Sequence, residues 1–191
     1  LFPLTLGGEH SITAGCIEPF VKIYKNVTIL QFDAHADLRS SYNNQKYSHA
    51  SAMRRCLDFK NVDLISIGIR NISKEEIPFL KKNDSRIKIF WAKDQKKWNL
   101  KYFKRLIKNK NVYLTFDVDG LDSSIMPATG TPEPGGLFWY ETLSLIKTTF
   151  KNANVIGADI NELAPIKGFN SYNFLVAKLA YKILTYKFFL K

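Results

Sequence analysis

Cysteine and histidine are the scarce residues here, with two of one and three of the other among 191 positions. Cys16 and Cys56 stand in no zinc or redox spacing, which excludes a disulfide framework and a cysteine-rich metal cluster. Free buried thiols and a reducing, cytoplasmic setting are the expectation. No apolar run approaches the length that spans a bilayer, and the opening residues do not read as a secretory leader, so no membrane partner is expected. Acidic residues are outnumbered 17 to 28 by Lys and Arg, leaving a net charge of +11. The surplus is mostly lysine and scattered (Lys81, Lys82, Lys96, Lys97, Lys101, Lys104, Lys108, Lys110), with no recognised binding motif beside it. That pattern reads as solvated helix faces, not as a nucleic-acid footprint. A hydrophobic share of 46% and an aromatic share of 14% exclude a disordered chain. At this length a single domain, 1–191, is expected. The chain opens at Leu1 in mid-pattern, which reads as a piece of something longer.

Against this background one stretch organises the rest. The apolar run Val27–Phe32 reads as a buried strand, and Asp33-Ala34-His35-Ala36-Asp37 follows it. Three possible metal ligands recur at every second position, where an extended chain projects side chains to one side. A second apolar run, residues 112–116, ends in Asp117-Val118-Asp119 with the same spacing, followed by Asp122. Two parallel strands ending side by side would gather these carboxylates and His35 where open α/β sheets place their ligand sites. Carboxylates packed together repel and must either protonate or be neutralised by cations. Divalent metal is the economical solution, and carboxylate oxygens mixed with imidazole suit Mn²⁺ or a related ion. Either half alone reads equally well as a solvated turn with a capping Asp; the pair after two buried strands does not.

The remaining segments alternate. A short apolar start (2–6) leads into Gly7-Gly8-Glu9-His10-Ser11, a tight turn in which Ser11 is placed to cap a helix running to about Tyr24. His10 alone would be an ordinary loop histidine; beside an acidic cluster in need of nitrogen donors it becomes a ligand candidate. A polar loop (38–47) precedes Ser48-His49-Ala50-Ser51 and a short helix from Ala52 to Leu57. His49 fits no ligand spacing and is a candidate titratable group near the site. Strands are expected over 64–70, 87–91 and 155–160, and helices over 74–82, 100–108, 139–151 and 171–190. A long Gly- and Pro-rich segment, 120–137, is placed to shape a pocket. Strand–helix alternation predicts an α/β fold with a parallel sheet and crossover helices.

Five blocks together resemble the ureohydrolase family: Gly-Gly-Glu-His-Ser at 7–11, Phe-Asp-Ala-His-Ala-Asp at 32–37, Ser-His-Ala-Ser at 48–51, Phe-Asp-Val-Asp-Gly-Leu-Asp at 116–122 and Asp-Ile-Asn-Glu at 159–162. The resemblance covers nearly the whole chain in order. It leans to the agmatinase branch through residues 37–39, 46–49, 130–137 and 174–179. It implies a three-layer αβα fold with a mainly parallel sheet of the arginase/deacetylase type, N-terminally truncated: the family's N-terminal part, including the first strand of its sheet, precedes the motif at Gly7 and is expected to be missing here. It implies two Mn²⁺ ions, the first on His10, Asp33, Asp37 and Asp117, the second on Asp33, His35, Asp117 and Asp119. In the family, water activated between the ions attacks a guanidinium carbon. Asp37 then orients that water, His49 passes a proton to the leaving amine, and Glu162 pairs with the guanidinium.

A small guanidino substrate, agmatine before guanidinobutyrate, arginine or a formimino compound, and a homo-oligomer (trimer or hexamer) are further implications. Leu38-Arg39 stands where arginase carries its grip on an α-carboxylate. Ser123, the run Ser124-Ile125-Met126, and Asn161 depart from the common pattern without removing a ligand. Two rivals keep the same residues: a two-metal phosphoesterase, which would want basic groups converging on phosphate, and a non-catalytic fragment.

Overall fold

The computed structural model describes residues 1–190. Six strands form one sheet: β1 (Leu4–Leu6), β2 (Val27–Phe32), β3 (Val62–Ile69), β4 (Ile87–Trp91), β5 (Asn111–Asp117) and β6 (Asn154–Asn161). Their order is β1-β6-β5-β2-β3-β4 and every pairing is parallel. The helices are α1 (Thr13–Ile23), α2 (Ala52–Cys56), α3 (Ile77–Lys82), α4 (Leu100–Ile107), α5 (Trp139–Asn152) and α6 (Asn170–Phe189). Among the described residues no helix is long and apolar enough to cross a membrane.

Period-two alternation divides the strands between two cores. Leu30 and Phe32 of β2, with Leu114 and Phe116 of β5, face α4, α5 and α6, where Phe103, Ile107, Ile146 and Leu179 cover them. Val27 and Ile29 of β2, with Val62 and Leu64 of β3, face Ile17 of α1 and Met53 and Cys56 of α2. Each fully buried side chain of this kind contributes about 1.5–3 kcal/mol, so the central strands are the best-anchored part of the molecule.

From β2 the chain builds β3 and β4 outward on one side, then returns to lay β5 on the other side of β2. The strand order therefore reverses between β2 and β5, whose register pairs Phe32 with Phe116. A crevice opens at their carboxyl ends, and this is where doubly wound sheets bind ligands. Gly120 sits in that crevice. A Cβ there would lie 2.7 Å from the Asp33 amide nitrogen and 3.0 Å from the Phe32 carbonyl carbon, so only glycine lets the two strand ends meet. Gly120→Ala is accordingly expected to cost about 1–3 kcal/mol in denaturant unfolding, as overpacking against backbone does.

Two expected details change. Ser11 does not cap α1: Glu9 is the extended residue at which the chain turns in, His10–Ile12 form a 3₁₀ turn running into α1, and the Ser11 hydroxyl donates to Glu9. α3 begins at Ile77 and not at 74, because Pro78 is tolerated only in a first helical turn.

Candidate metal centre

β2 delivers Asp33 just past its last residue, and β5 ends on Asp117. Beyond each strand the backbone curls so that its amides donate to these carboxylates. His35 N–H donates to Asp33 Oδ1 (2.6 Å), Asp119 N–H to Asp117 Oδ1 (2.9 Å) and Ala34 N–H to Asp119 Oδ1 (2.9 Å). The ring of His10, carried on the 3₁₀ turn after β1, enters from α1's side of the sheet. Its Nδ1 lies 3.1 Å from Asp33 Oδ2, 3.0 Å from Asp37 Oδ2 and 3.4 Å from Asp117 Oδ2. His35 Nδ1 lies 2.9 Å from Asp119 Oδ2 and 3.6 Å from Asp33 Oδ1. Asp33 thus presents one oxygen to each histidine. Two groups able to hold a metal ion result, His10–Asp33–Asp37 and Asp33–His35–Asp119, overlapping at Asp33.

Polar residues inside the strands hold this arrangement. Gln31 donates to Asp33 Oδ2 (2.7 Å) and is itself oriented by the Ser66 hydroxyl (2.6 Å). The Thr115 hydroxyl donates to Asp159 (2.5 Å), so towards His10 Nε2 (2.8 Å) it must accept. That places a proton on Nε2 and leaves Nδ1 facing three carboxylates. Nδ1 makes an aligned hydrogen bond with none of them, although it is fully buried. An acceptor nitrogen among acceptor oxygens is tolerable only with a proton or a cation between them, and a His–carboxylate donor set of this kind fits a divalent ion.

The protonation pattern agrees. Burial, then the charges of Asp119 and Asp33, hold the Asp117 carboxyl well above the usual range; burial and Asp33 push Asp119 up as well and raise Asp37 to about 7. Burial opposes a charged His35, but Asp119 and Asp33 outweigh it and raise the ring to about 11; Asp117, Asp33 and Asp37 likewise outweigh burial and raise His10. Without a cation the cluster stores protons. Divalent-ion uptake is therefore expected to expel protons, and affinity to fall as pH drops below about 11, where His35 holds its proton, and more steeply below about 7, where Asp37 takes up its own. Calorimetry of Mn²⁺ uptake in buffers of different ionisation enthalpy counts the protons directly.

Beside the cluster lies a cavity of about 510 Å³, lined among others by Glu9, Arg39, Tyr42, His49 and Glu162. Glu162, just past β6, accepts the His10 N–H (2.6 Å), and burial raises its carboxyl. His49 is exposed on the rim, its ring 5.5 Å from that of Tyr42 in an edge-on contact. Asp37 (φ 52°) and Glu162 (φ 65°) both occupy the left-handed region, a strain that only surrounding contacts can hold and that clusters at functional sites.

Asp122 does not join the cluster. Partial burial pushes its carboxyl up, but the donors Ser124, Gly136 and Gly135 outweigh that and bring it to about 2, so it anchors the 120–137 segment instead. Arg70 pins the same segment by donating to the carbonyls of Asp119 (2.7 Å), Leu121 (3.2 Å) and Glu133 (2.8 Å). The sequence assigned no role to Gln31, Thr115 or Asp159, the last of which it carries only within the block at 159–162. Each stands two positions before a site or network residue (Asp33, Asp117, Asn161) in an otherwise apolar strand, so period-two spacing was the available signal. Asn161, a departure from the common pattern, proves to be buried and to donate to Asp159 (2.7 Å).

A parallel α/β sheet with two overlapping His–carboxylate groups at its switch point defines a candidate two-metal centre. The chain belongs to the arginase family, whose pattern it matches over residues 1–185. It is 39% identical over 189 residues to an N(1)-aminopropylagmatine ureohydrolase of Synechocystis sp. (97% of this chain, 60% of that protein). It is 35% identical over 184 residues to an agmatinase of Pyrococcus horikoshii (95% and 62%). The crystal structure of the agmatine ureohydrolase of Thermoplasma volcanium superposes with a TM-score of 0.83 at 35% identity, over 97% of this chain and 62% of that one. The chain thus spans about three fifths of the length of these relatives.

Proposed function

We propose that this chain is a single ureohydrolase catalytic domain that cleaves agmatine to urea and putrescine with two Mn²⁺ ions. The observation that carries the reading is Asp33, whose two oxygens are divided between two histidine–aspartate groups beside Glu162 in one cavity. His10, Asp33, Asp37 and Asp117 would hold one ion, and Asp33, His35, Asp117 and Asp119 the other. Such a pair supplies Lewis-acid charge and acidifies a water enough to act as nucleophile near neutral pH. Glu162 pairs with the guanidinium and sets its carbon against the cluster. Asp37 accepts a hydrogen bond from the attacking water. As the bond from that carbon to the alkyl nitrogen breaks, His49 passes a proton to the departing amine.

Arg39 is the one Lys or Arg among the described lining residues, and it is engaged with Glu75 (3.0 Å) and the Tyr42 ring (5.4 Å). That leaves the cavity without a free cation for an α-carboxylate and favours agmatine over arginine. A second substrate, N1-aminopropylagmatine, is favoured by the 39% identity to the Synechocystis protein of that name. A homo-oligomer working in the cytoplasm completes the proposal.

The test is urea release from agmatine, N1-aminopropylagmatine and arginine, with Mn²⁺ and with chelator. Chelator-sensitive turnover of either of the first two, with arginine inert, is the expected result, and their ratio of kcat/KM names the substrate. No urea from any guanidine, or turnover indifferent to chelator, overturns the reading.

A further inference from the structure

Glu76 is a carboxylate with 4% of its surface exposed, on the wall of the cavity. The basic side chain nearest in role, Arg39, pairs with Glu75 instead. Both Glu76 oxygens go to backbone: Oε1 accepts from Leu38 N–H (2.8 Å) and Oε2 from Ser73 N–H (2.7 Å). Leu38 directly follows Asp37, the left-handed residue whose carboxylate stands 3.0 Å from His10 Nδ1.

A non-glycine residue costs about 1–2 kcal/mol in this conformation, so the turn needs fixing from outside. Ala36 N–H donates to Asn71 O (3.2 Å), Asp37 O accepts from Arg54 N–H (3.0 Å), and Arg39 N–H donates to Ala50 O (3.2 Å). Those are backbone contacts, which do not depend on any side chain. The Leu38 amide is held by a side chain, and that side chain reaches from the segment between β3 and α3, which lines the same cavity.

We propose that Glu76 is a positioning residue, holding the backbone turn that aims the Asp37 carboxylate into the metal centre. Only a carboxylate can do this, because both N–H groups need an acceptor. A glutamine would satisfy one and turn its own NH₂ against the other. The proposal rests on the two-ion reading above, in which Asp37 serves one ion and not its neighbour. Its signature is therefore a loss confined to one of two affinities, which general loosening of the fold would not produce.

The experiment compares wild type with Glu76→Gln by Mn²⁺ titration calorimetry, by amide exchange at Leu38, and by thermal melting of the metal-free chain. One of the two Mn²⁺ affinities is expected to fall about tenfold, the range typical of groups that orient a ligand, with the other within about twofold. Leu38 is expected to lose exchange protection, and the melting temperature to fall by only the several degrees that one buried, unsatisfied amide costs. Unchanged Leu38 protection, or affinities that both hold or both fall equally, overturns the role given to Glu76. A wild-type chain that takes up no Mn²⁺ overturns the functional reading itself, a result distinct from a normal wild type with an unaffected variant.

Discussion

Asp117→Asn is expected to lower urea release on the order of 10³-fold or more while making the metal-free protein more stable. The two effects share one cause. Asp117 is 4% exposed, and burial together with Asp119 and Asp33 holds its carboxyl far above the usual range, so ionised Asp117 is a destabilising presence at neutral pH. Asparagine keeps the oxygen that accepts the Asp119 N–H (2.9 Å) and has nearly the same volume, so the strand end retains its shape. What disappears is a carboxyl that must take up a proton on folding to be buried in a crowded site, and one oxygen proposed to serve both ions. A melting temperature that rises without metal, no longer rises with Mn²⁺, and accompanies lost turnover is the expected triad. A structural Asp would behave in the opposite way, with a lower melting temperature and residual metal-dependent activity. Retained urea release at near wild-type rate would sink the metal assignment of Asp117.

That conflict between stability and charge is what made the centre legible in the sequence. Val27–Phe32 and residues 112–116 are too apolar to end in clustered carboxylates by chance, and the structure brings His10, Asp33, His35, Asp37, Asp117 and Asp119 together within a few ångströms. The strands were readable for the same reason. Buried parallel strands are apolar runs bounded by turns, and Ile87–Trp91 matches its expected bounds to the residue.

Other features had no local signal. Nothing in Leu4-Thr5-Leu6 states that it pairs with β6, since parallel pairing is imposed by crossovers and packing at a distance. The left-handed backbone at Asp37 and Glu162 is likewise a tertiary imposition: neither residue type prefers it strongly, and Leu38 N–H to Glu76, like Glu162 N–H to Gly8 O (2.7 Å), is made with remote segments. Glu76 stands next to Glu75, and the sequence does not distinguish the buried carboxylate from the exposed one that meets Arg39. Asp122 shows the converse, since a carboxylate in ligand-like spacing was drawn instead to the amides of a glycine turn.

Glu162→Gln is expected to reduce kcat/KM for agmatine by about 10²–10³-fold while leaving Mn²⁺ uptake as in wild type. One Glu162 oxygen is committed to the His10 N–H (2.6 Å), which ties the carboxylate to the ligand-bearing turn. The other makes no hydrogen bond among the described residues, and in the proposed reading it is the one that meets the guanidinium. In the glutamine variant the amide oxygen still serves His10, so the metal centre keeps its support. The NH₂ then takes the cavity-facing position and opposes the guanidinium N–H groups, donor against donor. The loss should fall on KM as well as kcat, because a charge pair made in the ground state and needed for alignment of the carbon has been removed. Comparison with Asp117→Asn separates the two halves of the site: one variant binds metal and fails to hold substrate, the other fails to bind metal. Unchanged kcat and KM in Glu162→Gln would place the guanidinium elsewhere in the cavity. A loss of Mn²⁺ affinity would show instead that Glu162 acts through His10, as part of the scaffold of the metal centre.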